Sequence, residues 1–186
     1  MRFKVALVQM KPIGRDADII RTVEGFVRKA AGKADLIVFP EDVATLHNRA
    51  VDPKKLLGGF TRIARQYSID IVPGTFLEKD GDRIYNAAYY IDKKGDILGH
   101  YRKIHLWHPE KKNIRAGRNA CVFDTRFGRV GLIICWDIMF PGLFKKMEQK
   151  GAQIVICPSY CSYEDAGKGM SYNRKSEASL IDSVCV

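Results

Sequence analysis

Short apolar runs alternate with longer amphipathic stripes along the N-terminal part of the chain. Continuous runs of four or five apolar residues are typical of buried strands, whereas stripes at three- and four-residue spacing are typical of helices. The pattern predicts, in chain order, a strand at 4–8, a helix at 16–31, a strand at 36–39, a helix beginning at Asp52-Pro53 and a strand at 69–72. This alternation favours an α/β fold.

The pattern changes after residue 74, where strand-like segments follow one another directly. Asp-Gly and Lys-Gly pairs between such segments are hairpin signals. The predicted elements are strands at 75–78, 83–91 and 97–101, a hairpin at 122–125 and 129–135, a helix at 141–150, a strand at 153–157 and a final helix at 172–183. The mixture predicts one α/β domain over residues 1–186, with a large mixed sheet covered by helices.

Composition narrows the class of protein. With 186 residues, 46% hydrophobic and 28% charged, the chain is ordinary for a globular domain and unlike a disordered one. It has no signal-like leader, and no window approaches the roughly 18 apolar residues of a membrane helix. Five scattered cysteines, an odd number, argue against a disulfide framework and for a reducing compartment. We therefore expect a cytoplasmic protein with no membrane association.

The net charge of +10 comes from 31 basic and 21 acidic residues. These charges are dispersed, since basic residues occur singly or in pairs such as Lys111-Lys112, and no run reaches five like charges. A nucleic-acid interface would need a concentrated patch or stripe, which the sequence does not indicate. The charge therefore predicts a solvated basic surface.

Three reactive side chains follow predicted strands. Glu41 comes after the second strand, Lys103 follows the strand that reaches Tyr101, and Cys135 ends the run 130–135 before Trp136. Ligands of open α/β sheets bind outside the carboxyl ends of the strands, so a thiol at such an end can meet a ligand. The alternative is that Cys135 simply fills the core, as free cysteines often do.

These residue types suit one kind of chemistry. A thiol with an ordinary pKa of about 8.5 needs a base or a nearby cation to become a nucleophile at neutral pH. A carboxylate such as Glu41 can take the proton, and an ammonium such as Lys103 can stabilise an oxyanion. The backbone N–H of Trp136 could be a second oxyanion donor. Base, electrophile and nucleophile are thus available without a histidine.

Other chemistry remains open at this point. A Cys-His hydrolase could pair Cys135 with one of four histidines, namely His47, His100, His105 and His108, but their spacing selects none. Zinc could use the His105–His108 pair or the Cys157–Cys161 pair. One HxxH and one CxxxC do not complete a tetrahedral site, so no metal is predicted.

Three segments resemble the signatures of a known family. Phe39-Pro40-Glu41, the Tyr101–Leu106 segment and Ile134-Cys135-Trp136-Asp137 are similar to those of the nitrilase superfamily of carbon–nitrogen hydrolases. The opening strand, the Tyr85-Asn86-Ala87-Ala88 strand and the Cys157-Pro158-Ser159 strand end also fit, in the same order along the chain.

The resemblance implies an αββα sandwich with mixed sheets and a Glu-Lys-Cys triad. Glu41 is then the base, Lys103 the oxyanion stabiliser and Cys135 the nucleophile, with Glu110 as the family's second, orienting glutamate. The implied reaction cleaves a small amide, or alternatively a nitrile, through a thioester, and releases ammonia or an amine. It needs no metal or organic cofactor. Family members commonly form homodimers or larger homo-oligomers through helices that follow the nucleophile.

The same resemblance raises a second interpretation. Family members usually continue past the position of Val186 with further strands and a helix, so the C-terminal portion of the sandwich is expected to be missing. A catalytically inactive homologue, or a basic module for binding or assembly, would account for the net charge and the short end. It would leave the coincidence of Glu41, Lys103 and Cys135 unexplained. The sequence leaves the substrate open.

Overall fold

A computed structural model describes residues 2–11, 16–43 and 50–160 of the chain. The elements in chain order are β1 (Val5–Leu7), α1 (Asp16–Ala30), β2 (Leu36–Val38), α2 (Pro53–Tyr67), β3 (Asp70–Val72), β4 (Thr75–Asp80), β5 (Arg83–Ile91), β6 (Ile97–Arg102), β7 (Cys121–Thr125), β8 (Gly128–Leu132), α3 (Pro141–Gln149) and β9 (Ile154–Ile156), with 3-10 turns at His108–Lys112 and Cys135–Met139. The helix predicted at 172–183 lies outside the described residues.

The strands form two sheets, which corrects the expectation of one large sheet. The first has the order β1-β2-β3-β5-β4, with β6 also paired to β5; β1 to β3 are parallel, and β4 and β6 run antiparallel to β5. The second has the order β7-β8-β9, with β7 antiparallel and β9 parallel to β8. The physical reason is burial: β8 covers its apolar residues by facing the first sheet instead of extending it.

Helices α1 and α2 cover one face of the first sheet. In α2 the buried residues Leu56, Phe60 and Ile63 recur at helical spacing and form its inward stripe. The helix begins at Asp52, whose carboxylate accepts the Lys54 main-chain N–H at 2.9 Å, as an N-cap residue does. These helices pack on inward side chains of β2, β3 and β5, including Ile37, Ile71, Ala87 and Ile91. No helix in residues 2–11, 16–43 and 50–160 is long and apolar enough to cross a membrane.

The opposite face of the first sheet packs against the second sheet. Val38 and Val72 share one buried cluster with Val130 and Leu132 of β8. α3 lies beyond β8: a Cβ added at Gly131, which points away from the first sheet, would meet the Met147 side chain at 2.3 Å. The layers are therefore helix, sheet, sheet and helix, and the predicted αββα sandwich is confirmed.

β8 ends earlier than the apolar run predicts. The sequence pattern extends the strand to Cys135, whereas the structure ends it at Leu132. The main chain nevertheless stays beside β9, since Ile133 N–H donates to Ile156 O at 3.1 Å and Cys135 N–H to Pro158 O at 3.0 Å. Cys135 itself has a positive φ of 44°, which belongs to the left-handed region and cannot continue a strand. The apolar run continues beyond the end of the strand because Ile133 and Ile134 are buried.

Candidate active site

The carboxyl ends of β2, β6 and β8 converge on one group of side chains. Lys103 Nζ lies 2.9 Å from Glu41 Oε1, and the thiol of Cys135 forms a side-chain hydrogen bond with Glu41. Glu41 and Lys103 extend from the first sheet and Cys135 from the second, so the site lies where the two sheets meet. The structure thus brings together the three residues that the sequence singled out.

Two glycines allow the backbone of this site to pack closely. Gly74 has a φ of +78°, and a Cβ there would lie 2.1 Å from Pro40 O, directly before Glu41. A Cβ at Gly117 would lie 2.1 Å from Arg102 O, directly before Lys103. Gly117 N–H also donates to Lys103 O at 2.8 Å. Because neither glycine has a side chain, a neighbouring segment lies directly against each of these strand ends.

Glu110 lies on the other side of the lysine. It belongs to the 3-10 turn His108–Lys112, and its Oε2 is 2.9 Å from Lys103 Nζ. The main-chain N–H of Trp107 donates to the same oxygen at 2.7 Å. Glu110, which the family resemblance suggested, is thus part of the cluster. Lys103 forms ion pairs with two carboxylates, those of Glu41 and Glu110.

Asn86 is a member of the site that sequence reasoning did not single out. From the middle of β5, its Nδ2 donates to Glu41 Oε1 at 3.0 Å and to Glu110 Oε1 at 2.9 Å. Its side chain is buried, and its Oδ1 has no hydrogen-bond partner among the residues that the structure describes. One signal was available: an amide within an apolar strand must find partners when it is buried.

Burial and neighbouring charges set the electrostatics of the site. Burial raises the pKa of Glu41 well above its ordinary value of 4.5, and the charge of Cys135 raises it further, against the opposing effect of Lys103. Burial alone lowers the pKa of Lys103, but Glu41, Glu110 and Cys135 outweigh it, so this pKa is raised. The lysine therefore stays protonated, and the carboxyl beside it keeps its proton to a higher pH than an ordinary glutamate does.

The main chain around Cys135 is strained and closely held. A positive φ is uncommon for a residue with a side chain, and it turns the chain sharply from β8 into the 3-10 turn that contains Trp136. The thiol lies 3.8 Å from Tyr160 O, while Tyr160 N–H donates to Glu41 Oε2 at 3.2 Å. Tyr160 therefore contributes its backbone to the site.

Asp137 is a second residue whose part the sequence did not reveal. It is fully buried, and its Oδ2 accepts the Ile134 N–H at 3.0 Å and the Tyr101 hydroxyl at 2.8 Å. Its Oδ1 accepts the His105 N–H at 2.8 Å. Asp137 thereby joins the turn that carries Cys135 to the segment that carries Lys103.

His105 and His100 contact groups other than the thiol of Cys135. His105 Nδ1 lies 2.8 Å from Asp137 Oδ1, and its ring stacks on Phe140 with centroids 3.7 Å apart. His100 stacks on Tyr89 at 4.4 Å. Neither geometry favours a Cys-His pair with Cys135. His47 lies outside the described residues.

The two residue pairs considered as an alternative zinc site gain no support from the described part of the chain. Within residues 2–11, 16–43 and 50–160, no three His, Cys, Asp or Glu side chains group closely enough to hold a metal ion. Cys161 lies outside these ranges. Cys157 is beside the site, with its Sγ 4.0 Å from Cys135 O, but burial raises the pKa of its thiol to about 11.

The chain belongs to the carbon-nitrogen hydrolase family, whose model matches residues 4–175. Among curated relatives, a citrullinase from Francisella tularensis is 31% identical over 84% of this chain and 60% of its own length. A nitrilase from Pyrococcus abyssi is 35% identical (84% and 64%), and an omega-amidase from Homo sapiens is 30% identical (84% and 63%). The chain thus spans about three-fifths of the length of these relatives.

Solved structures agree on the fold. A member of branch 10 of the nitrilase superfamily from Saccharomyces cerevisiae superposes with a TM-score of 0.78 at 27% identity, over 90% of this chain and 68% of that one. A carbon-nitrogen hydrolase from Helicobacter pylori gives a TM-score of 0.83 at 22% identity, over 98% and 68%. The resemblance in three short segments is therefore confirmed as family membership.

Proposed function

We propose that the protein is a thiol hydrolase that cleaves the non-peptide C–N bond of a small amide. The observation that carries this proposal is the buried contact of Glu41 with both Lys103 and Cys135, which puts a base, a cation and a nucleophile in mutual reach. The relatives named as omega-amidase, citrullinase and nitrilase act, by those names, on related carbon–nitrogen bonds. An amide is the simplest substrate for the site; a nitrile is the alternative.

The first stage forms a thioester. The Cys135 thiol gives its proton to Glu41, and the sulfur attacks the amide carbon to form a C–S bond. The carbonyl oxygen becomes an oxyanion, which the ammonium of Lys103 and the N–H of Trp136 stabilise. Glu41 then returns the proton to the amide nitrogen as the C–N bond breaks, so ammonia or an amine leaves.

The second stage releases the acid. Glu41 takes a proton from water, the hydroxide attacks the thioester carbon, and the C–S bond breaks as the proton returns to the sulfur. Glu110 does not exchange a proton in this scheme; it holds Lys103 from the side opposite Glu41. Each proton is carried by Glu41, and the scheme uses no metal ion or organic cofactor.

The proposal extends to the state of the protein. Residues 1–186 act as one hydrolase domain in the cytoplasm and assemble as a homodimer or a larger homo-oligomer. An apolar groove between α3 and β9, lined by Phe144, Met147 and Val155 among others, supports assembly through this face. Light scattering after gel filtration tests it: a monomer at micromolar concentration would contradict the assembly.

Ammonia release tests the function directly. The protein is incubated with omega-amides of dicarboxylic acids, citrulline, simple aliphatic amides and a nitrile, and ammonia is measured. We expect release from at least one amide, and we expect iodoacetamide to abolish it in proportion to the modified fraction of Cys135. A folded protein that releases ammonia from none of these compounds, or that keeps its rate after Cys135 is alkylated, contradicts the proposal.

Glu41→Gln is expected to lower kcat/KM by about 10²- to 10⁴-fold, since glutamine preserves the shape but cannot take a proton. In the wild type, the rate should fall as the pH drops through the pKa of Glu41, which lies well above 4.5. The variant should lose this acidic limb. Rates measured from pH 4 to 9 check both effects, with Asp82→Asn in the exposed turn between β4 and β5 as a control that makes the same carboxylate-to-amide change. Equal rates in the two variants would contradict a base at Glu41.

A further inference from the structure

The geometry points to Asn86 as a positioning residue that assigns different tasks to the two oxygens of Glu41. We propose that the Asn86 amide and Lys103 together hold Oε1, so that Oε2 is the oxygen that exchanges the proton with Cys135. This inference rests on the proposed function, in which Glu41 carries every proton. It names the atom that does so and the residue that selects it.

The hydrogen bonds to Glu41 are unequal. Oε1 accepts the Asn86 Nδ2–H at 3.0 Å and the Lys103 Nζ–H at 2.9 Å, which occupies both lone-pair directions of a carboxylate oxygen. Oε2 accepts the main-chain N–H of Tyr160 at the longer distance of 3.2 Å. Among the described residues, this leaves a second lone-pair direction of Oε2 for the thiol of Cys135, which is also a side-chain partner of Glu41.

Asn86 also sets the relation between the two glutamates. Its two amide protons are divided between Glu41 Oε1 and Glu110 Oε1, so one neutral group holds both carboxylates. Glu110 Oε2 accepts from Lys103 and from the Trp107 N–H. Both oxygens of Glu110 therefore have hydrogen-bond donors, which fix this carboxylate in place beside Lys103.

The main chain of Asn86 adds a third link. Its carbonyl accepts the Lys103 N–H at 2.9 Å. One residue in the middle of β5 thus holds the base, the second glutamate and the lysine in register. A residue that only filled the core would need none of these polar contacts.

The orientation of the amide supports a positioning task. A carboxylate only accepts, so the Nδ2 end must face the glutamates, and Oδ1 then points where no partner lies within the described residues. An unpaired buried acceptor costs stability. The two hydrogen bonds that the Asn86 amide donates to the glutamates therefore have to offset the cost of the unpaired Oδ1.

The titration of Glu41 depends on every charged or titratable group that faces it. These groups are Lys103 from the end of β6, Cys135 from the turn after β8, Asp42 next in the chain and Glu110 across Asn86. Removing the Asn86 donor leaves all four of these groups in the protein, and it takes away one hydrogen bond from Glu41 and one from Glu110. Any shift of the acidic limb can then be attributed to these two lost hydrogen bonds.

Asn86→Leu provides the test, because leucine has a similar size and no donor. A hydrogen bond to a charged group favours the charged form, so its loss should raise the pKa of Glu41. We expect the acidic midpoint of the pH profile for Cys135 alkylation by iodoacetamide to move up by about one pH unit, and kcat to fall roughly tenfold or more with KM nearly unchanged. Peptide mass mapping measures the alkylated fraction of Cys135, so this readout does not depend on catalytic activity.

Two further variants keep the test decisive. Asn86→Ser retains one hydroxyl donor and should shift the midpoint less. Tyr90 lies in β5, as Asn86 does, and its hydroxyl donates a buried hydrogen bond of 2.6 Å to Asp70. Tyr90→Phe removes this bond and should lower stability without moving the acidic midpoint. A folded Asn86→Leu or Asn86→Ser protein with the wild-type midpoint overturns the inference, as does an equal shift in Tyr90→Phe. A shift in a protein that releases no ammonia supports the positioning and contradicts the proposed function alone.

Discussion

Cys135→Ala is expected to reduce ammonia release by about 10⁴-fold or more, to the uncatalysed background, while the chain stays folded. The proposed mechanism has no covalent stage without the sulfur, and neither Glu41 nor Lys103 replaces it. The fold should survive because Cys135 is only half-buried and its main-chain bond to Pro158 is kept. Ammonia assays and circular dichroism on the purified variant check both statements.

Cys157→Ala is the matched control for this variant. Cys157 lies beside Cys135, but burial raises the pKa of its thiol to about 11, so it remains protonated at neutral pH. Burial also raises the pKa of Cys121. We therefore expect Cys157→Ala to retain its rate within a few-fold, and Cys135 to be alkylated faster than the other cysteines. Loss of activity in Cys157→Ala with activity retained in Cys135→Ala would refute the assignment of the nucleophile.

The sequence indicated Glu41 because it follows an apolar run that ends abruptly at Pro40, and Lys103 because it follows the strand-like segment that reaches Tyr101. The run 36–39 is buried on both sides, between the α1/α2 core and the second sheet, and this leaves a continuous apolar pattern that is easy to detect. β5 was predicted with its observed bounds, since turns with Gly81 and Gly95 bracket it. Local chemistry thus predicts elements and their ends.

The partners of the buried polar groups could not be predicted in this way. Asn86 and Glu41 are 45 residues apart in the chain, and Tyr101 and Asp137 are 36 apart. A pattern of apolar residues records burial, but it carries no information on which distant group satisfies a buried amide or carboxylate.

The end of β8 shows a second limit. Ile133 and Ile134 are as apolar as the strand before them, so periodicity places the strand end at Cys135, three residues too late. The positive φ of Cys135 follows from the turn that Asp137 holds through its bond to the Ile134 N–H. Periodicity alone did not indicate the split into two sheets, which only the family resemblance implied. A hairpin such as β7-β8 has the same apolar pattern whether it packs beside an existing sheet or on top of it.

Lys103→Met is expected to lower the free energy of unfolding by about 3–5 kcal/mol at pH 7, and to abolish activity. Methionine fills a similar volume, but it leaves the buried Glu41 and the partly buried Glu110 without their cation. Lys103 lowers the pKa of Glu41, so its loss raises that pKa further. A carboxyl whose folded-state pKa lies above its unfolded value stabilises the fold most at low pH, and this stability is lost as the pH rises. Urea unfolding of both proteins at pH 5 and pH 7.5 measures the free energy of unfolding, and we expect the loss in Lys103→Met to be larger at pH 7.5.

Two companion variants separate stability from catalysis in this cluster. Lys55→Met removes an exposed lysine of α2 and should leave both stability and activity within experimental error of the wild type. Adding Glu110→Gln to Lys103→Met removes one of the two unpaired carboxylates, so stability at pH 7.5 should recover in part, while activity stays absent because the oxyanion has lost its ammonium. If Lys103→Met were no less stable than Lys55→Met at pH 7.5, the two carboxylates could not depend on Lys103. Activity in the double variant would likewise show that the ammonium is dispensable for the reaction, and the proposed oxyanion stabilisation would then have to come from the main chain around Trp136.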